Sequence, residues 1–328
     1  MIAPVREGPS FPSTIVVALG GNALLPPGES GDIHQQFAHT RESLGAIVAL
    51  ARAGWRIAVV HGNGPQIGDE LLRNERARDE RPPLPLGVLV AATAGWIGYM
   101  IQQSLQNALA QAGVDRSVVT VITQVLVDPD DARTHTPSKP IGHTMDRSTA
   151  DALARDSGWH VAETAGGWRR LVPSPVPLGI VEGPQIRSLV EGGSIVITAG
   201  GGGTPVYRHP DLGLEGIDGV VDKDRAATVL AREIGADTLV ILTNVEGVYR
   251  GFGSASQELL RELPLAQAER MLHADEFGRG SMRPKVEAAI DFLRGGGGRV
   301  CIARLDRGLE AVEGRAGTML LGPPRGSV

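Results

Sequence analysis

The sequence predicts an α/β fold, a three-layer αβα sandwich in which helices cover both faces of a mainly parallel central sheet. Two observations carry that prediction. Short Val- and Ile-rich runs recur along the 328 residues, and helical patterns lie between most of them. The 44 glycines and 22 prolines are not scattered as in low-complexity sequence but punctuate those runs, as turns at strand ends do. Strands alternating with helices imply parallel pairing and two covered faces.

The runs, in order, are TIVVALGG, RIAVVHGNG, SVVTVITQVLV, GSIVITAGGGG, TLVILTNV and RVCIA, each read as a strand. Between the first two, Ile47, Val48, Leu50 and Ala51 share one face of a helix reaching Ala53, with Gly54 as its stop. Trp96 and Tyr99 lie three apart in the apolar helix AATAGWIGYMIQQSL, a pattern of core or subunit interface. From about Asp128 to Pro177 the alternation breaks into DPDDARTHTPSKPIG and GWRRLVPSPVPLG, which reads as an inserted lid subdomain. Alternation resumes near Gly192. This gives a loose extension over residues 1–13, a first lobe over 14–191 that carries the lid, and a second lobe over 192–328.

Composition excludes several classes. With 32 Lys and Arg against 37 Asp and Glu, and no like-charge run, no nucleic-acid or anionic-membrane surface is expected. The single cysteine, Cys301, forbids an internal disulfide and Cys-based metal clusters. Eight histidines show no metal-ligand spacing, so no protein-held metal is expected. The opening MIAPVREGPSFPS has no apolar centre of a signal peptide and no stretch is long enough to span a membrane, so a cytoplasmic protein is expected.

Three strands end in glycine-rich turns: Gly20 and Gly21 with Asn22, Gly62 and Gly64 around Asn63, and Gly200 to Gly203. Ligands gather at the carboxyl ends of parallel strands, and turns without side chains let backbone N–H groups approach an oxyanion. The competing reading is that these glycines only close tight turns. Three lysines stand at turns or helix starts: Lys139 in PSKPIG, Lys223 in VDKDR and Lys285 in GSMRPKVEA. A cation in a helix's first turn opposes the helix dipole unless it meets an anion. Asp222 or Asp224 can cap the helix expected over Arg225–Glu233, leaving the other carboxylate to hold ammonium groups; the plain alternative is an N-cap beside a solvated lysine. A cluster of aimed ammonium groups suits phosphoryl transfer, where the protein positions the group and neutralises its charge. No GxxxxGK[ST], HRD or DFG pattern is present. His61, before GNGPQ, reads as a hydrogen-bonded residue at a strand end.

Taken together, ALGGNAL, VVHGNGPQIG, TQVLVDPDD, PSKPIG, GWRRLVPSPVP, GGGGTPV, VVDKDRAA, LTNVEGVY and GSMRPKVEA make the chain resemble the amino acid kinase superfamily, and within it the carbamate kinases. The resemblance implies an acceptor-binding first lobe, a nucleotide-binding second lobe and reversible phosphoryl transfer between ATP and carbamate, usually run towards ATP in arginine catabolism. By resemblance, Lys139, Lys223, Asp224 and Lys285 are catalytic. Asp224 organises the lysines, and Lys223 replaces the cation that most of the superfamily carries where this chain has Ala18. Gly20, Gly21 and Asn22 then cradle the transferred phosphate, Gly62, Asn63 and Gly64 lie beside the acceptor, and Gly201 and Gly202 complete the phosphate site. Thr243, Asn244, Tyr249, Gly280, Met282 and Lys285 line the nucleotide site. Mg²⁺ is expected with the ATP or ADP, held by phosphates and water, and a homodimer is implied. Two departures from carbamate kinases, HTMDRS after PSKPIG and Arg283, bear on the lid and the acceptor. Two rivals accompany this reading: a kinase of the same fold for another small carboxylate, phosphonate or phosphate, and a non-catalytic nucleotide- or oxyanion-binding protein. A binder has no need of charges aimed at a group in transfer.

Overall fold

A computed structural model of the chain describes residues 13–20, 24–25, 31–164, 166–277 and 282–322. An eight-stranded sheet runs through its centre. In spatial order the strands are Glu262–Pro264, Thr318–Leu321, Arg299–Arg304, Thr238–Thr243, Thr14–Leu19, Arg56–His61, Ile195–Thr198 and Val118–Thr120. All neighbours pair in parallel except Arg299–Arg304 with Thr318–Leu321.

Side chains of a strand alternate between its faces, and each central strand accordingly feeds two cores. Val16, Ala18, Ala58, Val60, Leu239 and Ile241 pack against the helices Lys223–Glu233 and Met282–Arg294. Ile15, Val17, Ile57, Val59, Val240 and Leu242 face the opposite way, towards the helices Gly45–Arg52 and Leu86–Gln111. Three layers result. The strand Ile195–Thr198 pairs with Arg56–His61 on one side and Val118–Thr120 on the other. One sheet therefore spans both sides of residue 192.

The run SVVTVITQVLV is not one strand. It divides into Val118–Thr120, in the central sheet, and Gln124–Leu126, in a separate four-stranded sheet. Between them the Thr123 hydroxyl contacts the Val121 carbonyl and the Thr198 hydroxyl and accepts from the Ala199 N–H at 2.9 Å, a junction that turns the chain from one sheet to the other.

Within the region expected to form a lid, the strands Pro137–Met145, Gly167–Pro173 and His160–Thr164 make an antiparallel sheet. Asp146 caps the helix Arg147–Ser157 and Gly158, at φ 65°, ends it. Ile141, Trp159 and Val172 join Ile67 and Leu71 of the helix Gly64–Arg76 in a third small core. That helix and the lid meet backbone to backbone: a Cβ on Gly68 would fall 2.1 Å from the Gly142 Cα.

Candidate active site

Register places the ends of four parallel strands in one row. Leu19 lies opposite Leu242 on one side and His61 on the other, and Val60 lies opposite Thr198. Continuing one residue sets Thr243, Gly20, Gly62 and Gly200 in one row at the carboxyl edge. Gly64 opens the helix Gly64–Arg76, with Pro65 in its first turn, where no side-chain cap bonds the free N–H groups. A Cβ on Gly64 would meet nothing within 4 Å. Gly21, Asn22 and Gly280 lie outside the described residues.

The turn after Ile195–Thr198 has a different reason for its glycines. Gly201, Gly202 and Gly203 have φ of 67°, 92° and 83°, which side chains strongly disfavour. A Cβ on Gly200 would lie 2.6 Å from His61 Nε2, one on Gly201 2.3 Å from Asn63 Nδ2, and one on Gly202 2.3 Å from the Val221 carbonyl. Packing against the protein and backbone conformation are therefore enough to demand glycine at Gly201 and Gly202, a reason the sequence did not show. Asn63 is buried and donates from Nδ2 to the Thr93 hydroxyl at 2.9 Å.

Through Val221 this turn abuts the DKD segment. Asp222 is the N-cap: its Oδ1 accepts from the Asp224 and Arg225 N–H groups at 3.0 and 3.3 Å, so the helix begins at Lys223, two residues before the expected start. Asp224 is the carboxylate left free by that cap. Its Oδ1 accepts from Lys223 Nζ at 2.5 Å and its Oδ2 from Lys285 Nζ at 3.0 Å. Lys285 is the fourth residue of the helix Met282–Arg294. One turn along, the Thr228 hydroxyl donates to the Ala288 carbonyl at 3.0 Å, locking the two helices so that the carboxylate and its lysines share a fixed frame. On the lid, Lys139 donates to Asp222 Oδ2 at 2.8 Å. The three lysines and two aspartates thus converge, and three positive charges against two negative ones leave the cluster at +1.

Burial by itself would raise the Asp224 pKa, but attraction from Lys223 and Lys285 outweighs it and holds the carboxyl below the usual range. Asp222 is treated alike: burial opposes, yet Lys139 and Lys223 keep it ionised to low pH. Burial is the largest single influence on Lys285 and lowers its pKa, but Asp224 and Asp222 together more than offset it, so that ammonium is reinforced. Lys223 shifts down, because burial, together with repulsion from Lys285, exceeds the help it gets from Asp224. His61, buried, has its pKa lowered to about 4 by desolvation against a small opposing effect of the Gly62 carbonyl. A neutral imidazole results, as befits a structural residue.

Of the residues expected from the resemblance to line a nucleotide site, Thr243 closes its strand, the exposed Asn244 follows it, Tyr249 begins the short strand Tyr249–Arg250, and half-buried Met282 opens the Lys285 helix. Sequence reasoning missed the second bond of Asp222. Its only local signal was a second carboxylate two residues before Asp224.

A family profile described as the amino acid kinase family matches residues 13–304. Carbamate kinases of Pyrococcus horikoshii and Halobacterium salinarum are 43% and 45% identical, each over 94% of this chain and at least 98% of its own length. The chain belongs to the amino acid kinase family, among its carbamate kinases. A carbamate kinase from Giardia lamblia, solved with citric acid, superposes on this family member with a TM-score of 0.90 at 36% identity, covering 95% of this chain and 99% of its own. The same Giardia enzyme bound to AMP-PNP gives 0.87 over 95% and 99%.

Proposed function

We propose that the chain catalyses reversible phosphoryl transfer between ATP and carbamate, with Lys139, Lys223 and Lys285 stabilising the group in transfer. The observation that carries this reading is Asp224, buried, with each oxygen on a different lysine ammonium. Both oxygens are committed, so Asp224 acts as an anchor and not as a base. Its lysines are fixed before substrate arrives, and charge developing on the transferred oxygens meets ammonium groups that need no reorganisation. The acceptor lies at the Gly62–Gly64 turn and the open start of its helix, while adenosine lies by Thr243, Asn244, Tyr249 and Met282. Transfer is direct and in line.

Among the described residues no three His, Cys, Asp or Glu side chains converge as a metal site, and both carboxylates of the cluster already accept from ammonium groups. A divalent cation fits here as a companion of the nucleotide phosphates, where it supplies neutralisation of their charge. The reading includes a cytoplasmic homodimer. No helix among the described residues is long and apolar enough to cross a membrane, and Tyr99, 57% exposed on the helix Leu86–Gln111, offers an apolar contact for a second copy.

The test is ATP formation from ADP, Mg²⁺ and carbamoyl phosphate, with acetyl phosphate as the alternative donor. Carbamoyl phosphate is expected to serve, and Lys223→Ala to lower kcat by about 10²–10³. Wild type that uses acetyl phosphate and ignores carbamoyl phosphate would reject the acceptor; an unchanged kcat in the variant would reject the role of Lys223.

A further inference from the structure

Asp222 divides its two oxygens between two parts of the molecule. Oδ1 fixes the first turn of the helix Lys223–Glu233 through two backbone N–H groups, whereas Oδ2 reaches 83 positions back in sequence to the lid and takes Lys139 Nζ at 2.8 Å. The strand Pro137–Met145 that carries Lys139 meets the helix Gly64–Arg76 at Gly142 against Gly68, at His143 beside Asp69 and through Ile141 in the small core, while its neighbouring strand is held at Pro173, whose carbonyl accepts from the Val220 N–H at 2.9 Å; these contacts place the backbone of Lys139 and leave the direction of its ammonium open. Lys139 has a long, flexible side chain, and among the described residues its ammonium bonds Asp222. Its aim towards the Asp224 cluster is set at its tip, by Asp222.

An ammonium carries three N–H donors. One satisfies Asp222 Oδ2, and two remain for an anion. Side chains of Lys139 and Asp222 are 25% and 23% exposed, so a ligand can reach the pair, unlike the Asp224 bonds behind it. We infer that Asp222 is a positioning residue for the carbamate end of the reaction: it holds the lid's Lys139 over the acceptor, and it does so by a bond the lysine keeps while offering its other two N–H groups to carbamoyl phosphate. The inference rests on the activity proposed above. It adds a function for a residue whose capping role alone would explain its presence.

Capping and aiming are separable by substitution. In Asp222→Asn the amide oxygen still accepts from the Asp224 and Arg225 N–H groups, for Asn and Asp are comparable caps. The other terminal atom becomes a donor and turns Lys139 away. Asp222→Ala loses both functions. Steady-state kinetics with ADP and carbamoyl phosphate are measured for wild type, Asp222→Asn, Lys139→Met and the double variant, with thermal melting of each and of Asp222→Ala. The KM for carbamoyl phosphate is expected to rise at least tenfold in Asp222→Asn while the KM for ADP changes less than threefold, and its melting temperature stays above that of Asp222→Ala. Lys139→Met is expected to cost at least fivefold less in kcat/KM when made on Asp222→Asn than when made on wild type, because the first change has already released the lysine. Should Asp222→Asn not fold, Asp222→Ser, which keeps a capping oxygen, is judged by the same criteria. The inference is overturned if the two substitutions multiply without coupling, or if both KM values rise together, as a merely structural role predicts. ATP formation by wild type tests the underlying activity separately.

Discussion

Asp222 and Asp224 stand two residues apart, both are carboxylates bound to lysine, and they behave as opposite halves of one site. Asp224 and Lys285 have side chains only 4% and 9% exposed and belong to two helices locked together by Thr228. Asp222 and Lys139 lie nearer the surface and join the body to the lid. A buried charge pair is costly to break because the survivor has neither water nor partner, whereas an accessible pair is exchanged for water at little cost. Under the proposed function, the difference teaches how one cluster can be rigid where transfer needs preorganised charge and exchangeable where a ligand must enter.

The strongest way to break this comparison is Asp224→Asn, which leaves two buried ammonium groups facing a neutral amide. A loss of about 3–5 kcal/mol in unfolding free energy is expected, with ATP formation falling below detection. Denaturant melts check it; a loss under about 1 kcal/mol would mean that the buried half is no more committed than the lid half.

His61 sharpens the comparison by its pH behaviour. Its folded pKa, about 4, lies below the ordinary 6.5, so the neutral ring favours the folded state. That contribution is complete above pH 6.5 and is lost as pH falls towards 4, amounting to about 3 kcal/mol at most. The depressed Asp222 and Asp224 carboxyls act at lower pH: their contribution is present above the ordinary carboxyl value of 3.8 and is lost as pH drops beneath it. Melts from pH 7 to 4 are expected to fall less steeply for His61→Gln than for wild type. Parallel curves would show that the imidazole is not the group titrating.

The smallest stability effect belongs to Lys139→Met. The pair is partly buried, so unfolding is expected to move by less than in Asp224→Asn while ATP formation drops at least tenfold. A destabilisation equal to that of Asp224→Asn would erase the distinction between the halves.

Much of this was legible in the sequence because it is local. Val- and Ile-rich runs ending in glycine mark strand ends, DKD before an apolar helical pattern marks a capped helix, and the helix over Gly45–Arg52 ends just before Gly54, whose φ of 84° suits its role as a stop. What escaped depends on long-range packing. The split of SVVTVITQVLV follows from Thr123 meeting Thr198 across 75 residues, and the need for glycine at 201 follows from Asn63. Neither partner is visible from within its own motif. The bond from Lys139 to Asp222 likewise depends on where the lid settles, on the helix Gly64–Arg76 and against Val220.

That seat has a consequence for any attempt to re-engineer the enzyme. At position 68 even a methyl group would collide with main-chain atoms that cannot rotate aside, and position 142 sits at φ 73°, which side chains disfavour, with only 3.2 Å between an added Cβ and the Gly68 Cα. Libraries that diversify the lid to accept larger acids can vary its exposed residues, but these two positions, like the buried Ile141 beside them, form a joint constraint. Changing either one disturbs the seat of the three-stranded flap, however well the new side chain suits the cavity.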